Sequence, residues 1–102
     1  MKSDVVKAVF QDELERNQHL VSRYEKELEN LPKGSIYKRK IGNHEYLYLN
    51  YREGNKVVSK FLGKNETFDS DELQMQLDKR NEYKQLIKKL KLEQKDLLKA
   101  LK

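Results

Sequence analysis

Midway along this chain the spacing of apolar residues changes from near 3.6 to 2, and that change limits the fold more than any other feature. Residues 46–51, Tyr-Leu-Tyr-Leu-Asn-Tyr, alternate and are rich in β formers. Glycine–asparagine pairs flank them at Gly42-Asn43 and Gly54-Asn55, and both suit hairpin turns. The spacing predicts an antiparallel meander over 35–62, with strands at about Ser35–Ile41, Glu45–Arg52 and Lys56–Leu62.

On either side the period is helical. Ser3 can cap a first helix over 3–31, and Asp4 suits the positive end of its dipole. Phe10, Leu14, Val21, Tyr24, Leu28 and Leu31 then recur at steps of three and four, with Asn17 in the one gap. Pro32 stops it, because the residue before proline is pushed out of the α region. A second helix over 70–101 opens on Asp69, with Glu72 three residues on as in a capping box. Its stripe reads Leu73, Gln76, Arg80, Tyr83, Ile87, Leu90, Gln94, Leu97 and Leu101. At ~1.5 Å per residue each helix is about 40–50 Å long, and neither can bury its stripe alone. The expected fold class is α+β in the order α-β-β-β-α. The helices pair as an antiparallel, coiled-coil-like hairpin within a single domain, 1–102. A homodimer through the helices is the alternative, and Asn17 is a candidate for setting register in either.

Composition agrees with thin layers. Apolar residues make up 36% and charged residues 38% of 102, against about 45–50% and 25% in ordinary globular domains. That composition builds no deep pocket. It would suit a disordered chain, but the periodicity argues for order. With no cysteine, thiolate metal sites, disulfides and cysteine nucleophiles are excluded, which points weakly to a reducing, cytoplasmic home. No apolar run approaches a membrane span, and the first residues do not read as a signal peptide. The net charge of +5 is uneven: residues 32–65 hold eight basic and two acidic groups, a net of +6. Such a patch concentrates polyanions.

Catalytic and metal readings find little footing. His19 and His44 stand 25 residues apart with no partner ligand at helical spacing. Glu13, Glu15, Glu25, Glu27 and Glu29 read as a solvated helix face. No phosphate loop or nucleophile elbow is present. The expectation is a non-enzyme with no catalytic residue, no metal and no cofactor.

The candidate site is therefore the sheet. Strand two puts Leu47, Leu49 and Tyr51 on one side. A three-residue hairpin loop would add Val57 and Phe61 to them, with Tyr37 from strand one, as a buried face against the helices. The other face would then show Lys38, Lys40, Tyr46, Tyr48, Arg52, Lys56 and Lys60. A two-residue loop would instead set a lysine beside Leu49, and the three-residue loop is preferred for that reason. Within the basic run Lys38-Arg39-Lys40, Arg39 would turn toward the helices, and Lys64 closes the patch. The nucleic-acid-binding set is thus Lys38, Arg39, Lys40, Tyr46, Tyr48, Arg52, Lys56, Lys60 and Lys64, with lysines and arginines on phosphates and tyrosines stacking or packing. A short β ribbon also fits the major groove. The bland reading is a solvated outer face whose lysines guard against aggregation.

Over Leu31–Lys64 the chain resembles a group of small proteins from Gram-positive bacteria and their mobile elements. They share L-P-K-G-S, a basic strand, Y-x-Y-L, Y-R-E-G and K-x-x-S-K-aromatic-x-G-K between two charged helices. That group carries over no activity. More distantly, the meander is similar to the arm-binding domain of tyrosine recombinases and to the leading segment of some transposases, where a basic three-stranded sheet reads DNA. This chain departs from them in showing no catalytic domain and a long helix on both sides. The resemblance implies a mobile-element or phage accessory protein. Its partner would be nucleic acid, DNA ahead of RNA. Alternatively it would be a host nucleic-acid-binding protein, blocked by an anti-CRISPR-like inhibitor or adaptor.

Overall fold

The computed structural model describes residues 3–102 and has the order α1 (Asp4–Glu29), β1 (Ser35–Ile41), β2 (His44–Glu53), β3 (Lys56–Lys64) and α2 (Asp71–Leu101). The α-β-β-β-α class is thus as the periodicity predicts. The chain divides into two compact units. One comprises the residues up to Asn30 together with Asn81–Lys102, and the other comprises Leu31–Arg80.

The first unit is the helical pair. The Ser3 side chain accepts from the Val6 amide at 3.2 Å and so caps α1. Leu14, Asn17, Val21 and Ile87 are buried. The partners run antiparallel: the Asn17 carboxamide donates to the Leu90 carbonyl at 2.8 Å, and Tyr24 stacks on Tyr83 at 5.1 Å between centroids. Asn17, only 4% exposed, also donates to Glu93 Oε2 at 3.4 Å, while its own Oδ1 is enclosed without a partner. A buried amide tied to one carbonyl on the facing helix discriminates between registers, because a slip would strand it.

The second unit is built on the meander, in strand order β1-β2-β3, both pairings antiparallel. Ile41 pairs with His44 and Glu53 with Lys56, so both hairpin loops are two residues long. In each loop glycine comes first with positive φ, 61° at Gly54, and among the described residues no other residue type takes positive φ. Glycine at the first central position is the signature of a type II′ turn, which matches the strand twist. The three-residue loop expected from the sequence is therefore wrong. Lys60 does lie opposite Leu49, and it remains exposed. A lysine stem can follow an apolar ladder while its ammonium stays in water, so the feared penalty does not arise.

The register slips by one between Leu47 and Tyr48, leaving Leu62 without an opposite number. Before the slip β3 alternates from Lys56, Val58 and Lys60 on one face. The bulge returns Lys64 to the face of its partner Tyr46, rather than to that of Glu45. The Asn65 amide then bonds the Glu45 carbonyl at 2.9 Å and extends the ladder.

The covered face of the sheet centres on Leu47, with no exposed surface, and Leu49, also buried. Leu77 of α2 is the unit's remaining deeply buried residue among those described. Its place differs from the stripe read in the sequence, which passed through the exposed Gln76. The step from Leu73 is four rather than three, which keeps the stripe in phase with Arg80. At the head of α2 the Asp69 carboxylate accepts from the Asp71 amide at 3.1 Å, one position earlier than a capping box with Glu72 requires.

Candidate nucleic-acid interface

Residues opposite one another in an antiparallel ladder share a face, so the register assigns every side chain of the meander. The nine residues singled out above do not stay together. Lys38, Lys40, Lys56 and Lys60 lie on the face of Leu47 and Leu49. Arg39, Tyr46, Tyr48, Arg52 and Lys64 lie on the other. With the loop one residue shorter, β3 changes sides from Lys56 to Phe61, and Tyr37 and Arg39 follow their partners Tyr48 and Tyr46. Arg39 is exposed on the open face instead of turning toward the apolar one.

On the covered face the four lysines form an exposed rim around apolar residues. Two of them stand opposite acids, Lys40 facing Glu45 and Lys56 facing Glu53. Two of the four lysines thus have an acid as their cross-strand neighbour. Lys60, Leu49 and Tyr51 also line a shallow hollow with Pro32 and Lys33, whose ammonium sits 6.0 Å from the centre of the Tyr51 ring. These features describe the edge of a packed face with lysine stems laid over it.

The open face differs in chemistry. Tyr37, Tyr46, Tyr48 and Phe61 gather there, and the sequence reading had assigned Tyr37 and Phe61 to the core. Tyr37 is 49% and Phe61 58% exposed. Phe61 is the hub: Tyr48 meets it edge-on at 5.6 Å, and Tyr46 lies tilted at 6.1 Å. His44 follows beyond Tyr46, at 6.4 Å. Cross-strand aromatic contacts of this kind hold rings in place on the pleat at a small entropic cost. Arg39, Arg52 and Lys64 surround the rings, all three exposed. Both acids of the meander, Glu45 and Glu53, point to the opposite face, so the open face carries cations and no carboxylate of its own strands. Val57 and Ile41 extend its apolar area, at 68% and 49% exposed.

The signal that could have located this face was present in both loops. Glycine ahead of asparagine asks for a two-residue II′ turn, and that loop length alone settles which of Lys60 and Phe61 faces outward. Among the described residues, no group of three or more His, Cys, Asp or Glu side chains could hold a metal ion. Nor is any helix long and apolar enough to cross a membrane among them.

Fold and face together define a class: a small α-β-β-β-α protein whose open meander displays aromatic rings among cations. Residues 10–75 match the model of a family described as Domain of unknown function (DUF6788), and the chain belongs to that family. The matched span contains α1 from Phe10, the whole meander and the first turn of α2. No curated protein and no solved structure matches the chain.

Proposed function

We propose that this protein binds nucleic acid, without catalysing a reaction, through the open face of its meander. One observation carries the reading: Tyr37, Tyr46, Tyr48 and Phe61 share that face with Arg39, Arg52 and Lys64, and no acid of the strands joins them. A globular protein gains nothing in stability by leaving a phenylalanine more than half exposed beside three tyrosines. Contiguous exposed patches of this kind are characteristic of binding surfaces. Cations ringing the aromatics favour a ligand with negative charge and flat apolar faces, which is the chemistry of nucleotides.

The test is binding of labelled oligonucleotides as a function of salt. With three phosphates neutralised on a single strand, the logarithmic salt slope is about −2, so affinity falls roughly twenty-fold between 50 and 200 mM salt. Reversing Arg39, Arg52 and Lys64 to glutamate removes binding. Reversing Lys38, Lys40 and Lys60 on the covered face leaves most of it. An equal loss from both triple variants would mean that net charge, not this face, does the binding.

A second reading rests on the apolar part of the face. Phe61 is exposed near the middle of the face, with Ile41 and Val57 exposed toward its two ends, and exposed apolar side chains of this kind also suit a protein partner, as an inhibitor or adaptor would require. A complex that survives nuclease treatment and high salt, and is lost in Val57→Asp, favours this reading.

A further inference from the structure

The register lines up side chains of one kind in rows across the open face. Tyr37, Tyr48 and Phe61 stand opposite one another and form a row of rings spanning all three strands. One pleat repeat along β2, Arg39, Tyr46 and Lys64 form the next row, with a cation at each end. On the other side of the rings, Ser35, Asn50 and Ser59 form a row of hydrogen-bonding groups. Strands lie about 4.8 Å apart, and rows two residues apart along a strand are separated by about 7 Å. Rings, cations and polar groups are thus segregated into parallel bands on the scale of a nucleotide.

We infer that the ligand is a single-stranded nucleic acid whose bases stack on the Tyr37–Tyr48–Phe61 row, with phosphates toward Arg39 and Lys64 and base edges toward Ser35, Asn50 and Ser59. The inference rests on the nucleic-acid reading above and narrows it. In a duplex every base face is covered by its neighbours, so exposed rings find nothing to stack on; in an unpaired strand each base offers one. Cations alone would serve a duplex equally well, and it is the ring row that discriminates. The polar row adds a second observation. Asn50 Oδ1 is enclosed and has no hydrogen-bond partner. That is costly in the free protein, and a small rotation of the carboxamide toward a bound base edge would relieve it.

The experiment compares fluorescence anisotropy of labelled oligo(dT), oligo(rU) and a mixed-sequence duplex of equal length, with the wild-type protein and with Phe61→Ala, Phe61→Tyr and Tyr37→Ala. Circular dichroism checks that each variant is folded. Because the chain contains no tryptophan, intrinsic emission comes from tyrosine, and three of the six tyrosines, Tyr37, Tyr46 and Tyr48, lie on the open face. The expected result is binding of one or both single strands, at least roughly ten-fold tighter than the duplex, with tyrosine quenching. Phe61→Ala and Tyr37→Ala should each weaken single-strand binding by roughly ten-fold, and Phe61→Tyr should retain it. Preference between oligo(dT) and oligo(rU) identifies DNA or RNA as the source. Duplex binding as tight as single-strand binding, or indifference to both alanine variants while Arg39→Glu weakens binding, would overturn this inference and leave the nucleic-acid reading standing. Failure of all three probes to bind at low salt would overturn both.

Discussion

The two faces of the meander use the same ladder and nearly the same number of basic residues, yet they are built for different ends. One buries Leu47 completely, and its four lysines form a rim in which two face acids across the strands. The other leaves Phe61 more than half exposed, has three cations and has no acid. Positive charge alone does not tell them apart. The lysine rim resembles a binding surface by count, and its stems work as cover for the apolar centre. The lesson is that a basic segment in a two-faced sheet must be divided by pairing before its charge is interpreted. On the function proposed above, aromatic exposure marks the binding face better than lysine number does.

The comparison implies that stability and binding separate by face, which substitutions can break or sharpen. The largest expected effect is on the covered side. Leu47→Ala should lower the unfolding free energy by about 2–5 kcal/mol, read as a shift of the urea midpoint. A loss under about 1 kcal/mol would mean that Leu47 is not the centre of this unit's core.

Next comes a contrast between neighbours in sequence. Phe61→Ala should weaken nucleic-acid binding by about 1–3 kcal/mol while changing stability by less than about 1 kcal/mol. Lys60→Ala, one residue away on the opposite face, should change binding by less than about 0.5 kcal/mol at physiological salt, where distant charges are screened. Equal effects from the two would erase the distinction between the faces.

The helical unit offers a smaller test of the same kind, a polar group at a covered position. Asn17→Leu removes a carboxamide whose Oδ1 is enclosed and unpaired. It should raise stability by about 1 kcal/mol, seen as a higher midpoint in chemical denaturation. Size-exclusion chromatography should at the same time show a broader distribution of species, because the Leu90 carbonyl no longer selects one register. The smallest effect belongs to the surface. The Lys91–Glu25 pair, 3.8 Å apart and more than half exposed, should contribute no more than about 0.5 kcal/mol, so Lys91→Ala is expected to leave the melting curve almost unchanged.

Much of this architecture is legible in the linear chain. Three-and-four spacing around Leu14, Asn17 and Val21 announces the first helix, and alternation through 46–51 announces the central strand. The glycine–asparagine pairs mark both turns. Local rules decide these features because each depends on residues within a few positions of one another. Half of the candidate site was legible for the same reason: the central tyrosines and the nearby cations fall inside a stretch of net charge +6.

Two things were decided only by the tertiary structure. The loop at Gly54-Asn55 is not one of them: its glycine-first pair already asks for two residues, and that length sets Phe61 outward and Lys60 on the covered face. The bulge at Leu62 carried Lys64 across to the rings; Gly63 beside it, with φ 150°, permits such an irregularity without fixing its place. The phase of α2 runs through Leu77 rather than Gln76. In each case a shift of one position changes which side of an element faces the core, and local preference is almost unchanged by it. The choice is made by total burial across the unit, through contacts between segments far apart in the chain. The sequence by itself determined that a helix, a basic tyrosine-bearing meander and a second helix would form. Packing decided which half of that meander is cover and which half is the face left open.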